Sequence, residues 1–256
     1  MRKIVFLDID GTILNTKHEI PAATKKAVQQ LRENNIYVAI ATGRAPFMFP
    51  KIREELAVDT YVSYNGQIVV VDNKTIHHFR FPVDMISSLL KMGEENGHPL
   101  VFMSNDGLKS SVEYDERIIT SMQSLEFSHP QFQSNYYMNH PISQILLFCK
   151  EGEEERYEKA FPMCKFIRWH EYAVDVIPAT GSKAEGIDKI INKLGFTIND
   201  TYAFGDGLND IEMLTSVGTG IAMGNADPQV KKYANLVTSH VDEDGLYFGC
   251  KELGLI

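Results

Sequence analysis

Ile4-Val5-Phe6-Leu7-Asp8-Ile9-Asp10-Gly11-Thr12 is the stretch on which the fold turns. Four consecutive apolar residues suit a short strand buried on both faces, the kind found inside parallel sheets. Two carboxylates, Asp8 and Asp10, follow its end, and Gly11 lets the chain turn sharply behind them. Carboxylates this close repel, and one is driven to protonate unless a cation sits between them. Mg²⁺ suits that role, because it takes one or two protein carboxylates and completes its shell with water and phosphate oxygens. Taken alone, Asp10 reads equally well as a residue that shapes the turn.

Working outward, a helix follows Pro21, with Ala27, Val28 and Leu31 at helical spacing, and then comes the apolar run 36–41. Strand, helix and buried strand form a βαβ unit, whose parallel sheet gathers ligands at the carboxyl ends of its strands. Those ends carry Asp8 and Thr42. Thr42-Gly43-Arg44 offers a hydroxyl and free backbone N–H groups at an expected helix start, which is an anion site or simply an N-cap. In the last third, Gly205-Asp206-Gly207-Leu208-Asn209-Asp210 follows the buried-type strand 202–204 and opens a helix. Asp206 lies beside Asp8 if the two strands are neighbours, and Asp210 falls one turn on. Asn209 or Asp210 also reads as a helix cap. Lys183 opens an amphipathic helix that Gly195 closes; a cation is disfavoured at that helix end, so an anion shared with Thr42 is expected to compensate it, the competing reading being an ordinary solvated lysine.

Between these parts the pattern changes. Asn65-Gly66 predicts a type I′ hairpin joining 61–64 to 67–71, and Asn105-Asp106-Gly107 a second hairpin. Further strands are expected at 142–149, 166–169 and 174–177, with a helix around Met85, Leu89 and Leu90. An α+β insert at residues 83–177, within an α/β host formed by 1–82 and 178–256, accounts for the alternation.

Composition narrows the function classes. The 256 residues are 44% hydrophobic and 23% charged, as in a globular protein, and the net charge is −9. That balance argues against gripping a nucleic acid over a broad surface, while a small phosphorylated ligand can still be held by one or two local cations. Neither a signal peptide nor an apolar span of about 20 residues is present, so no membrane role and a cytoplasmic location are expected. Cys149, Cys164 and Cys250 show no zinc spacing, and neither do the eight histidines. Nothing in the chain specifies an oligomeric state.

Asp8-Ile9-Asp10-Gly11-Thr12, Thr42 in Ala-Thr-Gly-Arg, Lys183, and Gly205 to Asp210 together resemble, in order, the four motifs of the haloacid dehalogenase superfamily. The insert, Asn65-Gly66 and Ser182-Lys183 are similar to its Cof-type IIB phosphatases. The resemblance implies a Rossmann-like parallel-sheet core with an inserted type IIB α+β cap that closes over the phosphoryl site and selects the leaving group. It also implies roles. Asp8 is the nucleophile that becomes an aspartyl-phosphate. Asp10 is acid, then base. Mg²⁺ is held by Asp8, the Asp10 carbonyl and Asp206, with Asp210 ordering its waters. Thr42, Gly43, Lys183 and Asn209 hold phosphoryl oxygens. Arg44, Asn65 and a hairpin turn at Arg168-Trp169-His170-Glu171 are candidate substrate contacts, each with a structural alternative.

Other readings are weaker. A receiver domain lacks a counterpart of residues 205–210, the glycines at 218–224 do not follow a strand as a dinucleotide site requires, and no P-loop string exists. A phosphomutase or phosphotransferase on the same fold, and a metabolite-binding regulator without turnover, remain as alternatives to hydrolysis of sugar phosphates and similar phosphomonoesters.

Overall fold

The computed structural model describes residues 2–125 and 127–256. These residues divide into two compact units. The first comprises residues up to 44, 48–77 and 182–256; the second comprises 45–47 and 78–181. Apart from the short excursion at 45–47, the chain crosses between them at 77/78 and 181/182, a few residues outside the crossings that the prolines at 82 and 178 suggest. The added residues lie against the second unit: the backbone N–H of Phe81 donates to Ile142 O, and that of Ala179 to Met163 O.

The first unit opens with β1 (Ile4–Leu7), α1 (Ala22–Glu33), β2 (Tyr37–Ala41), α2 (Pro50–Leu56), β3 (Tyr61–Ser63), β4 (Ile68–Val71) and β5 (Lys74–His78). In the second unit follow α3 (Val83–Asn96), β6 (Leu100–Ser104), β7 (Gly107–Ser110), α4 (Glu116–Gln123), β8 (Gln144–Phe148), α5 (Glu155–Ala160), β9 (Cys164–His170) and β10 (Ala173–Pro178). The chain then returns through α6 (Lys183–Leu194), β11 (Thr201–Gly205), α7 (Ile211–Ser216), β12 (Thr219–Ala222), α8 (Pro228–Lys231), β13 (Leu236–Val237) and α9 (Gly245–Glu252).

The first unit's sheet runs β13-β12-β11-β1-β2-β3-β4-β5. All four residues of β1 are fully buried, as a strand covered on both faces must be. It pairs in parallel with β2 (Leu7↔Ile40) and with β11 (Leu7↔Phe204). The chain leaves β1 toward β2 on one side and enters β11 on the other, so the crevice for a ligand opens at the carboxyl end of β1. Helix α6 lays Ile187, Ile190 and Ile191 on this sheet against Ile4, Ala39 and Val62. Burying each such side chain stabilises by about 1.5–3 kcal/mol. Gly186 permits the close approach, since a Cβ there would lie 2.4 Å from Val62 Cγ1.

The second unit is an antiparallel sheet, β7-β6-β8-β10-β9, whose core joins Ile86 and Leu89 of α3 to Phe102, Ile145, Leu147, Val174 and Val176. Two local expectations need correction. The hairpin at Asn65-Gly66 forms, but Ser63 pairs with Ile68, so its loop is the four residues 64–67 instead of a two-residue type I′ turn. Positive φ extends beyond Asn65 and Gly66 (50° and 101°) to Tyr64 (52°), one residue more than a two-residue type I′ turn uses. Likewise, Arg168, Trp169 and His170 lie within β9, and His170 pairs with Ala173, so the turn is Glu171-Tyr172.

Candidate active site

The strand register brings the acidic strand ends together. Asp8 is one residue past β1 and its N–H donates to Phe204 O (3.0 Å), which sets it beside the exit of β11 and hence beside Asp206. Carboxylate oxygens of Asp8, Asp206 and Asp210 lie within 4.8 Å of one another. Glycines make room for this crowding: a Cβ on Gly11 (φ +71°) would sit 2.1 Å from Asp206 Oδ2, and one on Gly205 2.6 Å from Asp210 Cγ.

Lys183 reaches into the cluster from the first residue of α6. Its Nζ donates to Asp8 Oδ1 and to Asp210 Oδ1, each at 2.6 Å, and the side chain is 1% exposed. The compensation expected for a cation at a helix start is therefore supplied by protein carboxylates. Burial would lower the ammonium's pKa, but Asp210 and Asp8 outweigh it and hold Lys183 above its ordinary value. One ammonium does not offset three carboxylates, however. Burial pushes Asp8 well above the usual carboxylate range against the pull of Lys183, and Asp210 and Asp206 push it further. Burial, then Asp210, pushes Asp206 up to about 7. Such a set of hard oxygen donors with uncompensated negative charge fits a divalent cation such as Mg²⁺.

Asp210 has a second task, because its Oδ2 accepts from the N–H groups of Asp206 (3.0 Å) and Gly207 (2.9 Å), which folds the 206–210 turn around it. Asp10 stands apart. Its carboxylate is half exposed and is gripped by Arg44 through Nε–Oδ2 (2.8 Å) and Nη2–Oδ1 (2.5 Å), so the sequence's candidate substrate contact, Arg44, lies on Asp10.

Thr42 directly follows β2, but no helix begins there: a single helical turn forms at Pro46–Met48 and α2 at Pro50, and Thr42 Oγ1 instead accepts the Arg44 N–H (3.1 Å) within the loop. The helix start expected at Thr42 is corrected accordingly; the hydroxyl and the loop N–H groups stand at the strand end without it. Asn65 is 4% exposed; its N–H donates to Thr42 O (3.1 Å) and its Oδ1 accepts from Asn209 Nδ2 (3.2 Å). A Cβ on Gly43 would lie 3.1 Å from Asn65 Nδ2. Asn65 thus joins the Thr42–Gly43 loop to the 208–210 turn. Arg168 is spent on structure: it holds Glu154 through two bonds (2.8 and 2.6 Å) and the carbonyls of Cys149, His170 and Glu171.

Sequence reasoning missed Thr12 and Asn225. Thr12 Oγ1 donates to Asp206 Oδ1 (3.3 Å), and Asn225 Nδ2 donates to Asp206 Oδ2 (3.2 Å). The signal for Asn225 was its place in Gly224-Asn225-Ala226, just past a further strand end of the same parallel sheet.

Comparison with known proteins places the chain in a family. Residues 5–248 match the family model of haloacid dehalogenase-like hydrolases. YkrA of Bacillus subtilis (strain 168) is 47% identical over 254 residues, covering 99% of this chain and 98% of that one. Phosphatase YwpJ of the same organism is 28% identical over 284 residues, covering 98% and 99%. The solved structure of the subclass IIB sugar phosphatase BT4131 superposes with a TM-score of 0.88 at 30% identity, covering 99% of this chain and 100% of that one. The chain belongs to the haloacid dehalogenase-like hydrolases.

Proposed function

We propose that the chain is a Mg²⁺-dependent phosphatase of small phosphorylated metabolites, sugar phosphates among them, working through an aspartyl-phosphate on Asp8. The observation that carries this reading is the buried Lys183 ammonium between Asp8 and Asp210, in a triple-carboxylate cluster at the carboxyl ends of β1 and β11. The names of YwpJ and BT4131 support the phosphatase class.

Asp8, Asp206 and Asp210, with the Asp10 carbonyl, would hold the cation, which supplies positive charge to the phosphoryl group and to the attacking carboxylate. In the first step an Asp8 carboxylate oxygen attacks phosphorus, the bond from phosphorus to the ester oxygen breaks, and Asp10 gives its proton to the leaving alkoxide. In the second, Asp10 takes a proton from water as that water's oxygen attacks the aspartyl-phosphate, releasing inorganic phosphate and regenerating Asp8. Lys183, Thr42, the Gly43 N–H and Asn209 stabilise the phosphoryl oxygens; donors fixed in advance gain strength where water is excluded. Asp10 can serve only after its carboxylate leaves Arg44, so substrate binding must compete for one of these partners.

The test is phosphate release from a panel of p-nitrophenyl phosphate, hexose phosphates, flavin mononucleotide and pyridoxal phosphate, with Mg²⁺ and with EDTA. Release that needs Mg²⁺, needs no bisphosphate activator and vanishes in Asp8→Asn supports the hydrolase. Release that survives Asp8→Asn in the purified chain overturns the mechanism.

A further inference from the structure

Asn225 lies three residues beyond β12, the strand next to β11, so its side chain meets the loop carrying Asp206. Its amide spends both N–H bonds at the cluster: Nδ2 donates to Gly11 O (2.8 Å) and to Asp206 Oδ2 (3.2 Å). Its Oδ1 accepts the N–H of Val241 at 2.9 Å. The other oxygen of Asp206 receives Thr12 Oγ1, so the carboxylate is held from both edges. Its backbone is fixed as well, with its N–H on Asp210 Oδ2 and its carbonyl accepting from Asp227 N (3.3 Å).

We infer that Asn225 is a positioning residue: it fixes the plane of the Asp206 carboxylate and ties it to the turn after β1, so that the cation site is ordered before the ion arrives. This inference rests on the phosphatase reading above. Without the amide, Asp206 must lose rotational freedom when it captures the ion, and the metal affinity falls by that cost. A second tie joins the same segments. Thr16 and Asp242 tie the turn after β1 to the 240–243 segment through two independent hydrogen bonds, Thr16 N–Asp242 Oδ1 (3.2 Å) and Thr16 Oγ1–Asp242 Oδ2 (2.8 Å).

The experiment compares the full-length chain with Asn225→Ala and with Asn225→Leu, which restores the volume without the hydrogen bonds. Folding is checked by circular dichroism and by melting in EDTA, Mg²⁺ binding by calorimetry, and kcat and KM with p-nitrophenyl phosphate across a Mg²⁺ titration. The expected result is a Mg²⁺ Kd raised about 10–100-fold in both variants. KM for the ester should stay within about twofold, and kcat should recover at high Mg²⁺. Wild-type Mg²⁺ affinity in either folded variant overturns the inference. Should neither variant fold, the side-chain amide of Asn225 in the unmodified chain decides it by NMR: its resonances must shift as Mg²⁺ binds, and their failure to move refutes the positioning role. If the unmodified chain binds no Mg²⁺ at all, the phosphatase reading fails instead.

Discussion

Replacing Lys183 with Met tests whether this buried ammonium holds the site together. The substitution keeps most of the side-chain volume and removes the charge that donates to Asp8 and Asp210 at 2.6 Å. Three clustered carboxylates then face one another with no cation, in a place almost closed to solvent. Breaking a buried pair by removing one partner costs about 3–5 kcal/mol, a large part of the 5–15 kcal/mol typical of a domain. The loss should depend on conditions. Asp8 and Asp206 already hold protons more tightly in the folded chain than in the unfolded one, so protonation relieves the repulsion at acid pH and the deficit grows as pH rises. Saturating Mg²⁺ should recover part of it, because it adds two positive charges to the same cluster. The assay is denaturant unfolding of both chains at about pH 5 and about pH 8, in EDTA and in Mg²⁺, monitored on the first unit. A deficit under about 1 kcal/mol at the higher pH without metal, the size of an exposed ion pair, would refute the reasoning.

Two further predictions concern other carboxylates. Burial pushes Asp175 in β10 from 3.8 up to about 7, against a pull from the Trp169 indole. Its folded state therefore binds the proton more tightly, and stability is lost as pH rises from about 4 through 7. Asp175→Asn should match the parent at about pH 4 and exceed it by about 1–3 kcal/mol at pH 8, in the unfolding of the second unit; equal stability at both pH values counts against it. Arg44→Ala removes both bonds to Asp10, yet the pair is partly exposed, so stability should change by less than about 1 kcal/mol. Because Asp10 must leave Arg44 before it can act, kcat for phosphate release should stay within about twofold of the parent or rise, and a fall of about 10-fold or more would refute that competition.

Much of the first unit was legible from short runs. A strand buried on both faces must be apolar at every position, so Ile4–Leu7 and the run ending at Ala41 announced themselves, and Gly195 marked the end of α6 by its left-handed φ of 73°. The candidate site was legible for the same reason: Asp8, Thr42 and Asp206 each directly follow such a run. Where the reading failed, the local pattern was ambiguous. Asn65-Gly66 is compatible with a two-residue or a four-residue loop, and pairing of Ser63 with Ile68 chose the longer. Thr42 before Gly43 suits a helix cap, but the chain forms only a single helical turn at Pro46–Met48 before α2 opens at Pro50.

By itself, then, the sequence determined which side chains stand at strand ends and which helix begins with a lysine, because burial and backbone conformation leave periodic and local marks. It could not determine partners, which depend on contacts between residues far apart in the chain. That Lys183 is neutralised by Asp8 and Asp210, that Arg44 lies on Asp10, and that Asn225 reaches back to Gly11 were decided by strand order in the sheet. Placing β11 beside β1, and β12 beside β11, brings residues about two hundred positions apart within hydrogen-bonding distance, and no local pattern encodes that neighbourhood.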